Sequence, residues 1–308
     1  MKKYLAFEIG GTKQQIALGT ADGNVETIET VKLGSYVSAT DILTWMESAL
    51  RDYLRRYEVN AIGVGYGGPV ELETGKVIQS MQVPGWEDFE LRRWLQEKSS
   101  LPCVVVNDSD AAAYGEYLCG AGKGSSRMLY CNVGTGIGGG FCSGSYYCIG
   151  SGRGAIEIGH SYVPDWTSSK VRPEKLENIC SGMSIEKRLN LPGYIPKNSM
   201  LSVFEHISCI NLADAVEAGD PFAISEFSKI TESIGLALSN AIDILAPDTV
   251  VIGGGLANIG VLFIKSIEKE IDSRVYPAFK KHYKIKSSEL LDRAVIVGAL
   301  LCASKQEK

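Results

Sequence analysis

The chain has 308 residues, longer than one ordinary domain, and its 45% hydrophobic and 22% charged residues allow a substantial core without staples. A formal net charge of −5 excludes the basic balance of a nucleic-acid binder, and no run of about 18 apolar residues offers a membrane span. Eight cysteines lack any C-x-x-C pairing and several fall in apolar, strand-like stretches, which points to free thiols in a reducing cytoplasm. The apolar start before Glu8 is too short for a signal peptide.

Residues 3–19 read as strand, glycine turn, strand, with Gly10-Gly11-Thr12 at the turn, and Asp22-Gly23 signals a hairpin into a third strand. From Thr40 to Tyr57, Ile42, Met46, Leu50 and Tyr53 recur at helical spacing. Ala61 to Tyr66 is a short buried-type strand ended by Gly67-Gly68-Pro69. Leu91 to Lys98 reads as a helix, and Leu101 to Val106 as a strand that delivers Asn107-Asp108 before a helix over Ala111 to Leu118. Met128 to Val133 is again a strand, followed by a glycine-rich turn over Gly134 to Gly140. Two strand–glycine–strand units, each opening a half of the chain, suggest a duplicated α/β domain with a cleft between the copies. Pro221 to Leu245 is a long amphipathic helix broken by Ala246-Pro247-Asp248. Thr249 to Ile252 is a strand leading into Gly253-Gly254-Gly255, and the apolar stretch Ala294 to Ala303 predicts a terminal helix folding back on the first lobe.

Three glycine clusters thus follow three predicted strands. A triphosphate needs backbone N–H groups with no Cβ in the way, and glycine supplies both the close approach and the turn. Tight hairpins between packed strands would use the same glycines. No P-loop or dinucleotide-binding fingerprint is present. Asp108, just past a buried strand, stands where a carboxylate that accepts a hydroxyl proton belongs, and Asn107 can both donate to and accept from a sugar. Asn107-Asp108-Ser109 can equally cap the helix that follows.

In chain order, Glu8-Ile9-Gly10-Gly11-Thr12-Lys13, Val83-Pro84-Gly85-Trp86, Pro102 through Asn107-Asp108 to Gly115-Glu116, Gly134-Thr135-Gly136-Ile137-Gly138-Gly139-Gly140, Glu157-Ile158-Gly159-His160 and Ile252-Gly253-Gly254-Gly255 form an ordered set. The set resembles the ROK (repressor, open reading frame, kinase) family of bacterial sugar kinases along almost the whole chain. The resemblance implies an α/β fold of duplicated actin-like ATPase (ribonuclease H-like, hexokinase-type) domains with an inter-lobe cleft. It places the first lobe at about 1–117 plus a C-terminal helix near 292–308, and the second at 118–291. It implies ATP and Mg2+ as cofactors, a hexose-type sugar phosphorylated in the manner of a glucokinase at its 6-hydroxyl, and a homodimer. By the same resemblance Asp108 is the general base, and Gly68, Asn107, Glu157, His160 and Glu177 line the sugar. Gly10, Gly11, Thr12, Lys13, Gly134, Thr135, Gly136, Gly253, Gly254 and Gly255 would hold the nucleotide, and Glu8 the magnesium, directly or through water. Glu157 and His160 lie three apart, a spacing that aims both the same way on a helical turn.

Two departures stand out. Many members follow the histidine with a cysteine-rich run that binds a structural zinc, whereas no cysteine lies between Ser161 and Leu176, so no zinc site is expected. The first motif in the family begins with aspartate; here it is Glu8, whose extra methylene shifts the metal geometry and motivates the alternative of a sugar-binding pseudokinase. Sugar-responsive repressors of the family carry a helix-turn-helix ahead of the first strand. With strand one starting by Tyr4 and no basic segment elsewhere, neither that reading nor a nucleic-acid partner is expected.

Overall fold

The computed structural model describes residues 1–11, 13–32, 34, 37–80 and 83–306. Thr12, one of the expected nucleotide contacts, lies outside the described residues. The strands and helices run β1 (Lys3–Ile9), β2 (Lys13–Thr20), β3 (Val25–Lys32), α1 (Ala39–Arg56), β4 (Ala61–Tyr66), β5 (Val70–Glu71), β6 (Lys76–Val77) and α2 (Leu91–Ser99). Then come β7 (Cys103–Asn107), α3 (Asp108–Cys119), β8 (Arg127–Val133), β9 (Ile137–Ser143), β10 (Tyr146–Tyr147), β11 (Tyr162–Pro164) and β12 (Pro173–Lys175). The remainder is α4 (Leu176–Cys180), α5 (Gly182–Leu189), α6 (Cys209–Glu217), α7 (Pro221–Leu245), β13 (Thr249–Gly253), α8 (Val261–Arg274), β14 (Lys284–Ser287) and α9 (Ala294–Ser304). The fold is mixed α/β. Two compact units share the chain: Met1–Ser125 with Gly140–Ala155 and Glu289–Lys308, and Ser126–Gly139 with Ile156–Ser288. The polypeptide therefore passes between them four times, at 125/126, 139/140, 155/156 and 288/289.

The first unit is built on a sheet ordered β3-β2-β1-β4-β7. β1, β2 and β3 are antiparallel neighbours, whereas β1, β4 and β7 run parallel. Buried on both faces, β1 and β4 read as continuous apolar runs. Register aligns Ile9 with Tyr66 and Tyr66 with Asn107, so all three parallel strands end at one level. One face is covered by α1, whose Ser38–Asp41 capping box fixes its start and whose Ile42, Met46, Leu50 and Tyr53 enter the core. The same core holds Trp86, edge-on to Tyr66 at 5.4 Å and to Phe89 at 5.5 Å, so the Val83–Trp86 motif is a plug beneath the sheet's end. On the other face α9 packs Ile296, Ala299, Leu300 and Ala303 against Tyr4, Ala6, Ala17 and Ala61.

In the second unit β13 runs parallel to both β8 and β14, within a sheet ordered β10-β9-β8-β13-β14. The long helix α7 starts on the Asp220 cap with Pro221 in its first turn, and ends where Ala246 turns left-handed at φ 45°. Two expectations need correction. The Gly134–Gly140 stretch is not one turn: the turn closes by Gly136 and strand β9 resumes at Ile137. Glycine persists in that strand because neighbours press on it, as a Cβ at Gly139 would lie 2.8 Å from the Ile156 carbonyl oxygen and one at Gly140 2.5 Å from Ala113 Cβ. Helix α3 begins at Asp108, three residues before the expected Ala111, because Asn107 caps it.

Candidate active site

The ends of β1, β4 and β7 bring four of the expected residues together, Gly10, Gly68, Asn107 and Asp108. Asp108 is the first residue of α3, and its Oδ1 accepts the Ser109 amide at 2.7 Å and the Ser109 hydroxyl at 3.3 Å. Beside it, a Cβ on Gly67 would stand 3.4 Å from Asp108 Oδ2 and 3.5 Å from Gly10 Cα, so the carboxylate and the first glycine turn both border Gly67. Asn107 Oδ1 accepts the Ser109 and Asp110 amides at 2.9 and 3.2 Å, while its Nδ2 donates to the Gly68 carbonyl at 3.0 Å. Three of the carboxamide's hydrogen bonds are thereby fixed, which leaves one N–H for a ligand.

Glu8 sits in the body of β1, 7% exposed, with Oε1 3.5 Å from Lys13 Nζ. Burial pushes its carboxyl up to about 7; Lys13 pulls it down and the Asp108 carboxylate pushes it up further. Lys13 also donates to the Asp292 carbonyl at 3.3 Å, so its ammonium is shared between strand and C-terminal segment. Sequence reasoning missed Gln15. With its carboxamide nitrogen turned to the carboxylate, it donates to Glu8 Oε2 at 2.6 Å and to the Asp292 carbonyl at 3.2 Å, while its oxygen accepts from Thr30 Oγ1 at 2.9 Å. Gln15 pairs directly opposite Glu8 in the β1–β2 register, which was the only signal available.

The second unit holds two further groups. The glycine turns after β8 and β13 lie side by side: a Cβ on Gly254 would fall 2.5 Å from the Val133 carbonyl and 2.6 Å from Asn132 Oδ1, and one on Gly134 3.8 Å from the Gly255 nitrogen. Gly254 needs its φ of 88°, whereas Gly255 faces open space. The start of α5 joins them, the Gly182 amide donating to the Gly134 carbonyl at 2.8 Å. Asn132 and Gly182, though each borders a stretch the sequence singled out, were not expected as site residues.

Glu157, His160 and Glu177 form the other group. Glu157 precedes a single 3-10 turn, Ile158–His160, whose His160 amide donates to the Glu157 carbonyl at 3.0 Å. Burial raises the Glu157 carboxyl; His160 partly offsets this and Glu177 adds to it. Glu177 is anchored: its Oε2 accepts the Ile137 amide at 2.8 Å, and a Cβ on Gly136 would lie 2.6 Å from the same oxygen. Lys175, also missed, places Nζ 3.2 Å from His160 Nδ1. A zinc ion does not fit these residues. The imidazole nitrogen faces an ammonium, and Cys180 is buried with its thiol 3.7 Å from the Ile230 carbonyl. Among the described residues no cluster of three or more histidine, cysteine, aspartate or glutamate side chains is arranged for a metal ion, and no helix is long and apolar enough to cross a membrane.

Comparison with known proteins adds relatives to this geometry. The glucokinase of Halalkalibacterium halodurans is 28% identical over 99% of this chain and 96% of its own length. A xylose repressor of Caldicellulosiruptor bescii is also 28% identical, over 78% of this chain and 61% of its own. Among solved structures, a ROK family glucokinase from Streptomyces griseus in complex with glucose and AMPPNP superposes with a TM-score of 0.83 and 26% identity, covering 98% of this chain and 99% of that one. The family model described as ROK family matches residues 4–306, which takes in both strand–glycine–strand units, the Asp108 junction and the Glu157–His160 turn; this chain belongs to the ROK family.

Proposed function

We propose that this protein transfers the γ-phosphoryl group of ATP to a hydroxyl, the 6-hydroxyl, of a hexose-type sugar. The observation that carries the reading is the carboxylate of Asp108, set at a strand–helix junction by the Ser109 amide and flanked by two glycine turns. Phosphoryl transfer asks for such a fixed carboxylate, because catalysis there rests on positioning and charge. The likeness to a glucokinase held with glucose and AMPPNP supports the substrate pair.

In this mechanism Asp108 accepts the proton of the sugar hydroxyl as its oxygen bonds to the γ-phosphorus. The bond from that phosphorus to the bridging oxygen breaks, and ADP leaves. Glu157, His160, Glu177 and the free N–H of Asn107 bind the other hydroxyls, and the Gly68 carbonyl fixes Asn107. The paired glycine turns of the second unit offer backbone N–H groups at Gly134, Gly254 and Gly255 to phosphate. A magnesium ion brought in with ATP would be held mainly by phosphate oxygens, with Glu8 beside it through water, since the Glu8 oxygens already face Lys13 and Gln15; the ion would neutralise phosphate charge.

Release of ADP, followed across a panel of monosaccharides, aminosugars and β-glucosides, tests the reading. Asp108→Asn is expected to keep sugar binding and lose about 10²–10⁴-fold in turnover; near-normal turnover would remove Asp108 from its role. A second reading, sugar binding without transfer, is motivated by Glu8, which stands where the family's first motif has aspartate and whose carboxyl burial pushes upward. Binding of sugar with no ADP release from any member of the panel would select it.

A further inference from the structure

We propose that Lys175 is the positioning residue of His160, holding the imidazole as the tautomer that carries its proton on Nε2, so that the ring meets the sugar only as a hydrogen-bond donor. The proposal rests on the reading that His160 contacts the sugar. Its chemistry is short. An ammonium has three donors and no acceptor, so the contact of 3.2 Å between Nζ and Nδ1 exists only when Nδ1 presents a lone pair. A neutral imidazole then has its single N–H on Nε2.

Both partners are held by their own backbones. Lys175 ends β12, in register opposite Tyr162 on β11. The residue after it, Leu176, is buried and donates its amide to the Ser161 carbonyl at 2.9 Å. The residue before it, Glu174, accepts the Lys175 amide and Asn178 Nδ2, each at 2.8 Å. On the other side the Ser161 amide and hydroxyl both donate to the Ile158 carbonyl, at 3.1 and 2.6 Å, and a Cβ on Gly159 would collide with the Ile137 carbonyl. The β11–β12 hairpin thus brings its last residue back beside the turn that precedes its first strand, and ammonium and imidazole meet because of that register. Glu157 feels the charges of both His160 and Glu177; carboxylates only accept, so a donor-only histidine complements them and the three groups together offer a sugar both kinds of partner.

The test is nitrogen NMR on 15N-histidine protein, with His160 assigned by the signal lost in His160→Gln. The wild type should show a protonated Nε2 and an unprotonated Nδ1, and both signals should move on adding glucose. In Lys175→Met the ring should lose this pattern and exchange between tautomers, with KM for glucose raised about tenfold and kcat changed less, as expected for one lost oriented hydrogen bond. Lys175→Arg, which keeps a cationic donor, should restore the wild-type pattern and guards against a folding artefact. A proton on Nδ1 in the wild type, or a spectrum unaffected by Lys175→Met, overturns the proposal. A fixed Nε2–H ring that ignores glucose and every panel sugar that supports ADP release removes the sugar contact of His160, and the proposed role with it, while the tautomer assignment identifies which of the two failed.

Discussion

At Asn107 one side chain has two tasks, and sequence reasoning set them as alternatives. The carboxamide caps α3 through two amides and also reaches across to the Gly68 carbonyl. Asn107→Ala should therefore cost about 1 kcal/mol of stability for the lost cap and weaken sugar binding as well, read from urea unfolding and from KM; a loss of only one of the two would separate the tasks. Glu8 makes a different prediction. Its folded value of about 7 lies above the ordinary 4.5, so the folded state holds the proton more tightly. The stability this contributes is fully present below about pH 4.5 and disappears as pH rises through 7, by on the order of 3 kcal/mol at most. Glu8→Gln should remove that slope, becoming more stable relative to the parent between pH 5 and pH 8. Parallel pH profiles for the two proteins would show that burial of Glu8 carries no such cost.

Among the elements, α3 and α9 cross so closely that glycine is required on both sides. A Cβ on Gly115 would lie 2.6 Å from the Ala294 carbonyl and 3.0 Å from the Gly298 nitrogen, and one on Gly298 would collide with the Ala111 carbonyl. Gly298→Ala should lower the unfolding midpoint by the equivalent of about 1–3 kcal/mol, the usual cost of overpacking; an unchanged midpoint would mean the helices slide apart freely. In the second unit, Gly255→Ala fits the open space at that position and should leave folding intact while raising KM for ATP, whereas Gly254→Ala, with φ 88° and the Val133 carbonyl in its way, should fail at folding. Normal ATP affinity in Gly255→Ala would take that amide out of the nucleotide site. How far the chain could be read in advance follows from the same physics. The periodic apolar pattern of α7, bounded by Asp220-Pro221 and Ala246-Pro247, announced that helix. The ends of β1, β4 and β7 were legible because each apolar run stops at a glycine or an Asn-Asp pair. β9 was hidden, since Gly138 to Gly140 imitate a turn and only long-range neighbours demand Gly139 and Gly140. The β11–β12 hairpin was hidden too, because Pro164 and Pro173 pair across it in positions that argue against strands. Lys175 could not be found at all: its link to His160 depends on that hairpin's register, and the fourteen residues between them carry no local signal.

Across the whole molecule the eight cysteines are free, and all but Cys119 and Cys148 are buried. Burial pushes the thiols of Cys131, Cys180, Cys209 and Cys302 up to about 12. A chromogenic thiol reagent should therefore label Cys148 quickly, Cys119 slowly and the others only after denaturation. Rapid reaction of more than two thiols in the native protein would contradict this packing. The four passages of the chain between the units have a consequence for anyone who would dissect the protein. No single cut separates two pieces that are each one unit, since every unit is stitched from distant stretches of the gene. Shortening the gene by its last twenty residues would not trim a tail but strip α9 from the sheet that β1 begins. The protein is thus expected to tolerate neither end deletion nor expression in halves, and its two units to be inherited, and to be lost, as one piece.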